Sequence, residues 1–302
     1  MGILASISIG INPNLIDFGS LILSWHGVLT FVAVAVAVWL VARWGGREGM
    51  VVDSIYSVAV WAIIGGVIGA RALHVIDFWD SGLGATGELG YQDFPSQIFR
   101  VWEGGIAIYG AIIGGFIGGA LYIMIRNSEW FLSLWRTVFP FMGEAHRANL
   151  PGIGRLADIT APAVLFAQAI GRVGDLINGE HLAKATDLAW GVIYTHPNSP
   201  AYLASPVHPA VGYELLFDLV LLAAIWPLRD RLRPHGMFFT LYLGTYSIGR
   251  FFLSFLRVES HEYFGALNEA QVVAIIVVIF TVPLLVWKAQ LVRPTRGTAN
   301  PA

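Results

Sequence analysis

Between Ile170 and Ala183 the chain reads IGRVGDLINGEHLA, and five chemically active side chains crowd into it: Arg172, Asp175, Asn178, Glu180 and His181. Later, Tyr246, Arg250 and Arg257 follow one another at spacings of four and seven residues, which predicts one shared helical face. Guanidiniums gathered at one cavity suit a phosphate, because arginine donates through a planar, bidentate fork and keeps its charge. The carboxylates Asp175, Glu180 and Glu214 then either hold those arginines in place or move protons. The competing reading is that each Arg–carboxylate pair only ties helices together. A buried ion pair adds little to folding, because desolvation offsets the attraction, so a joint set of such groups points to a site. The chain has no cysteine, which excludes disulfides, thiolate zinc and a cysteine nucleophile of its own. His26, His74, His181 and His208 show no metal-ligand spacing such as HExxH, and no serine stands in a nucleophile elbow. No metal site is expected, and the nucleophile of any reaction here comes from a substrate.

The elements that must position these groups are apolar. Hydrophobic residues make up 56% of the 302, and charged residues only 13%, where a soluble domain carries about 25%. That composition defines a membrane protein. With a net charge of -2, no overall basic field recruits nucleic acid. Seven segments are long and apolar enough to span: Leu21–Trp44, Val52–Ile76, Gly105–Ile125, Ile159–Ile177, Pro209–Leu228, Met237–Leu256 and Ala270–Trp287. They are too long for barrel strands and lack two-residue alternation, so the expected fold is an all-α polytopic helix bundle. The first segment is not read as a signal peptide. Its apolar run is too long, and no Lys or Arg occurs before Ser20.

Twelve of the eighteen Lys and Arg fall in the loops after spans one, three and five and in the C-terminal tail. The positive-inside rule then puts the N-terminus outside and the C-terminus in the cytoplasm. One integral membrane domain covering 1–302 is expected, with outward loops near 77–104 and 178–208 and a cytoplasmic insertion near 127–154. In that insertion EWFLSLWRTVFPFM predicts an interfacial amphipathic helix, with Trp130, Leu134 and Val138 at helical spacing. Gly65, Gly66 and Gly69 in span two, and Gly110, Gly114 and Gly118 in span three, predict closely approaching helices. Against this background an ionisable side chain inside a span costs about 2.5–3.5 kcal/mol and marks function by default. Arg71, Asp158, Arg172, Asp175, Glu214, Asp218 and Arg250 are such residues.

The motifs resemble those of bacterial prolipoprotein diacylglyceryl transferases along nearly the whole chain. GRVGDLINGEHLA is similar to the signature Gly-Arg-x-Gly-Asn-Phe-x-Asn-x-Glu-x-x-Gly, with Gly171, Arg172, Gly174, Asn178 and Glu180 matching. SWHG stands where the family has Trp-Tyr-Gly, and GARALHVI resembles its Gly-Gly-Arg motif through Arg71. FRVWEGGIAIYGAIIGG is similar to Arg-x-Trp-x-Gly-Gly-x-x-x-His-Gly-Gly, and ADITAPAVLFAQAIGR carries the matching Asp158. HPAVGYELL matches at His208, Pro209, Tyr213 and Glu214, and YSIGRFFLSFLR retains Tyr246, Arg250 and Arg257.

The resemblance implies a multi-pass enzyme of the bacterial plasma membrane. Such an enzyme moves the diacylglyceryl group of phosphatidylglycerol onto the lipobox cysteine of a prolipoprotein signal peptide. A thioether forms, glycerol 1-phosphate leaves, lipid enters between the helices, and no cofactor is needed. It implies catalytic roles for Arg172 and Arg250 and substrate binding by Arg172, Asn178, Glu180, Tyr246, Arg257 and Arg71. Asp158, Asp175 and Glu214 are left to orient other groups. The departures concern the same site. The family's span-three histidine is Tyr109, its signature asparagine is Asp175, its span-one tyrosine is His26, and an expected span-six glutamate is Ser254. Leu176 and Ala183 replace the signature Phe and last Gly. A free tyrosine has a pKa of about 10 and is a poor base at neutral pH, so the base falls to Tyr109 or to His26 in its stead. Two other readings compete: a non-catalytic relative that binds anionic lipid or lipoprotein, and a transporter, which requires a continuous polar path across the bundle.

Overall fold

The computed structural model describes residues 6–19, 22–80, 89–101, 105, 107–144, 147–148, 150, 152–202, 205–258, 262–263 and 267–292, without the side chains of 108, 109, 262 and 263. The chain is mostly helical: α1 Trp25–Arg47, α2 Val52–Asp77, α3 Ile108–Arg126, α4 Glu129–Val138, α5 Ile153–Asn178, α6 Ala210–Ile225, α7 Met237–Leu253 and α8 Glu269–Lys288. By length and apolarity five of these are candidate membrane spans among the described residues: α1, α2, α5, α8, and α6 with the 3-10 turn that follows it. A sixth arises if α3 and α4, bent by 69° at their junction, count as one broken span.

The helices fall where the apolar runs predict, and their ends follow local chemistry. The first starts at Trp25, not Leu21, because β3 (Ile22–Ser24) pairs antiparallel with β2 (Asn14–Asp17). Ser24 then accepts the Gly27 amide at 3.1 Å, a helix-start cap. Helix α5 begins at Ile153, six residues ahead of expectation. The α6 helix gives way to a 3-10 turn at Trp226–Leu228, since Pro227 supplies no amide hydrogen for continued helix. Asn268 and Gln271 form a reciprocal capping box that starts α8.

Two compact units result: Met1–Val41 with Gly152–Ala302, and Ala42–Pro151. In the first, Leu165 of α5, Leu221 and Ile225 of α6, and Phe238 and Tyr242 of α7 form a buried apolar cluster. A short parallel pair joins β1 (Ile7–Ile9) to β4 (Val192–Tyr194), within the proline-rich connection between α5 and α6. The all-α expectation omitted these strands, which are too short to show two-residue periodicity.

In the second unit α2 and α3 meet backbone to backbone. A Cβ built on Gly69 would lie 2.3 Å from the Gly110 carbonyl, and one on Gly114 would lie 2.2 Å from the Gly65 carbonyl. Only hydrogen fits at these crossings, as small-residue packing requires. Helix α4 is capped by Ser128, which accepts the Phe131 amide. It exposes Trp130, Leu134 and Val138 and buries Leu132.

Candidate active site

The charged cluster of the first unit centres on one carboxylate. Glu214, in the second turn of α6, is 3% exposed along its side chain, and three arginines reach it. Arg172 of α5 places Nε 2.9 Å from Oε2. Arg257 places a terminal guanidinium nitrogen 2.7 Å from Oε1, and Arg250 of α7 donates to the same oxygen. Arg172 also donates to Asp175 Oδ2 at 2.7 Å, three residues along its own helix. Arg172 and Arg250 keep 18% and 16% of their side chains exposed, whereas Arg257 keeps 3%. The Arg172 and Arg250 side chains are thus only partly enclosed, whereas that of Arg257 is almost wholly so.

Arg257 corrects the expectation of one continuous helical face. Helix α7 ends at Leu253, a 3-10 turn covers Ser254–Leu256, and Arg257 is extended with φ -92° and ψ 154°. Its side chain still returns to Glu214 because its backbone bridges to Ala183 of the α5–α6 connection. Ser254, where a glutamate is the family pattern, donates its hydroxyl to the Arg250 carbonyl at 2.8 Å and closes the helix end. Tyr246, one turn before Arg250, packs its ring against Phe217 and Tyr242.

The end of α5 is built by the residues after it. Gly179 takes a left-handed conformation, φ 77°, a routine helix stop for glycine. The Asp175 carbonyl accepts the amides of Gly179 and Glu180. Tyr194 donates to the Leu176 carbonyl at 2.9 Å and Ser199 to the Asn178 carbonyl at 2.7 Å. The carbonyls of the last turn therefore face side chains of the 178–208 connection instead of water. Asn178 is buried and donates to Glu180 at 3.3 Å. Burial, aided by the positive charge of Arg257, pushes the His181 imidazole down to about 4. Burial, with the Asp175 charge, pushes the Tyr194 hydroxyl up to about 12. Neither Tyr194 nor Ser199 was singled out in the sequence. The signal for Ser199 is a polar residue amid the prolines of HPNSPAYLASPVHP, and Tyr194 lies two residues ahead of that stretch, at the end of β4.

Helix α1 enters this cluster at its first turn. His26 Nδ1 lies 2.5 Å from Asp175 Oδ1. Gly174 permits the approach, since a Cβ there would stand 3.0 Å from the His26 Cα. Asp158, at the other end of α5, accepts the Gly236 amide at 2.8 Å and the Phe239 amide at 3.0 Å. It thereby caps α7, whose exposed amides and dipole favour an anion. Asp218 is buried one turn after Glu214.

Arg71 belongs to the second unit. It donates from Nε to the Ile98 carbonyl and from a terminal nitrogen to the Gly105 carbonyl, both at 2.9 Å, and it also donates to the Gln97 carbonyl. Its guanidinium lies over the Tyr91 ring. These contacts tie the backbone of Gln97, Ile98 and Gly105 to α2, and Gly105, with φ 71°, admits the guanidinium to within 2.6 Å of where a Cβ would be. His74 faces the Tyr91 hydroxyl at 3.2 Å. Tyr109 is in the first turn of α3, and its side chain lies outside the described residues.

Long apolar helices around a buried cluster of arginines and carboxylates define an integral membrane protein with a charged interior site. The chain belongs to the prolipoprotein diacylglyceryl transferase family, whose model matches residues 13–146 and 141–287. It is 33% identical over 298 residues to a protein of Synechococcus elongatus, covering 96% of this chain and 92% of that one. A Dehalococcoides mccartyi protein is 32% identical over 288 residues, covering 95% and 97%. One from Lactobacillus acidophilus is 30% identical over 294 residues, covering 94% and 92%. All three bear the name phosphatidylglycerol–prolipoprotein diacylglyceryl transferase.

Proposed function

We propose that this protein is a transferase that moves the diacylglyceryl group of phosphatidylglycerol to the lipobox cysteine thiol of a prolipoprotein. A thioether forms and glycerol 1-phosphate leaves. The observation that carries the reading is the convergence of Arg172, Arg250 and Arg257 on Glu214. The partly enclosed side chains of Arg172 and Arg250 receive the lipid phosphate and stabilise the charge that grows on it as the carbon–oxygen bond breaks. Glu214 and the enclosed Arg257 hold them aimed, so little reorganisation is needed during reaction. The absence of cysteine from the chain fits a nucleophile that the second substrate brings.

The remaining assignments belong to the same proposal. Asn178, Glu180 and Tyr246 contact substrate beside Arg172. Arg71 shapes the outward connection over which substrates arrive. Asp158, Asp175 and Glu214 are orienting groups. The protein works as one integral domain of the bacterial plasma membrane, with seven spans, α7 and α3 among them, the N-terminus outside and the C-terminus cytoplasmic. Helix α4 lies along the cytoplasmic interface, its exposed Trp130 among the lipid headgroups.

The test is direct. Purified protein is given phosphatidylglycerol and a lipobox peptide, and thioether product and glycerol phosphate are measured. Equal amounts of both support the transferase. Lipid binding without either product overturns it in favour of a binding relative.

A further inference from the structure

We propose that His26 and Asp175 form a base dyad in which the imidazole takes the proton of the substrate thiol. The inference rests on the transferase reading and takes His26, of the two candidate bases Tyr109 and His26, as the base, with Asp175 as its partner.

Asp175 is a two-sided carboxylate. Oδ1 meets His26 Nδ1 at 2.5 Å, and Oδ2 accepts from Arg172 at 2.7 Å. An ionised carboxylate only accepts hydrogen bonds, so His26 must carry its hydrogen on Nδ1. In the neutral imidazole that leaves the lone pair on Nε2, and the contact found for the ring among the described residues is the one through Nδ1. Asp175 is enclosed, 5% exposed along its side chain, whereas 44% of the His26 side chain is open. The oriented imidazole therefore presents a basic nitrogen on an open side, next to the arginine assigned to the phosphate. Gly174 builds the seat by letting the first turn of α1 lie against α5. The charged and titratable groups facing His26 are Asp175 and Arg172 on α5 and Glu180 just beyond its end. His181 adds a second imidazole 3.9 Å from Asp175.

The step balances. The thiol proton passes to His26 Nε2, and the thiolate sulfur attacks the glyceryl carbon that bears the phosphate. The carbon–sulfur bond forms as the carbon–oxygen bond breaks, and the departing phosphate keeps the electron pair against Arg172 and Arg250. The imidazolium then releases its proton to water. Asp175 stabilises the imidazolium while it exists, and its other oxygen holds Arg172, so one carboxylate aligns base and leaving-group clamp.

A pair of peptides tests this: one carries the lipobox cysteine, the other selenocysteine, whose selenol is ionised at neutral pH and needs no base. With His26→Gln, turnover of the thiol peptide falls by about 100-fold or more, the size of a lost general base, and its acid pH limb disappears. Turnover of the selenol peptide stays near the wild-type rate. Added imidazole partly restores thiol turnover to His26→Ala. Equal loss on both peptides without rescue by imidazole overturns the dyad and leaves His26 a packing residue. An unchanged pH profile in His26→Gln overturns it too. Wild-type protein that converts neither peptide overturns the transferase reading itself, and the base with it.

Discussion

Arg257 and Glu214 meet at 2.7 Å, and each is only 3% exposed along its side chain. One stands beyond the end of α7 and the other in α6, so the contact fastens a connection to a helix. Removing one partner leaves the other charge buried without compensation, at a cost of about 3–5 kcal/mol. Glu214→Ala therefore lowers the thermal unfolding temperature of the detergent-purified protein and abolishes product. Glu214→Gln keeps the shape and falls between. An alanine variant as stable as wild type would mean that the three arginines share another counter-charge.

Arg172 spans two carboxylates at once, with one nitrogen on Asp175 and Nε facing Glu214. A lysine ammonium is a point charge and serves only one of them. Arg172→Lys is expected to lower turnover by about 100-fold or more, the loss typical of one transition-state donor. Arg172→Ala should give no product while the protein still inserts into the membrane. Turnover at the wild-type rate in either variant would remove Arg172 from the site.

The α2–α3 crossing is sensitive to single methyl groups. At Gly114 a Cβ would lie 2.2 Å from a backbone carbonyl, and at Gly66 it would lie 3.2 Å from one. Gly114→Ala forces the helices apart and should cost about 1–3 kcal/mol, as overpacking does. Gly66→Ala costs less. Equal unfolding temperatures for Gly114→Ala and wild type would contradict the contact.

His181 sets a pH dependence. Its folded pKa, about 4, lies below the ordinary histidine value near 6.5. Between these values the unfolded chain binds a proton that the folded one refuses, so stability falls as pH drops from 6.5 toward 4 and levels off below. His181→Asn, which tolerates the left-handed φ of 60° at this position, should flatten that part of the acid slope in unfolding scans from pH 7.5 to 4. A variant with the wild-type slope would assign the acid sensitivity to other groups.

Much of the helix pattern was legible because hydrocarbon length is a local property. Each apolar run became a helix, and several boundaries moved where a strand, a proline or a capping residue intervened, as at Ser24, Pro227 and Asn268, while α5 starts six residues early at Ile153. The glycine spacing of α2 and α3 announced their close approach for the same reason. Arg257 was misplaced because periodicity continued past the 3-10 turn at Ser254–Leu256. Tyr194 and Ser199 were missed because hydroxyls in an irregular connection show no sign of which carbonyls they satisfy.

By itself the sequence determined that arginines and carboxylates are sunk in apolar segments, and that any thiol must come from elsewhere. Each of these facts is a property of one residue in its local surroundings. Only the tertiary structure decided the partners. Arg250 and Glu214 are 36 residues apart in the chain, and His26 and Asp175 are 149 apart. A charge reveals its cost of burial to its neighbours in sequence, but its compensation depends on which distant helix packs against it. That is why Asp175, read in the sequence as a carboxylate standing in for an amide, became in the fold the bridge between an arginine and an imidazole.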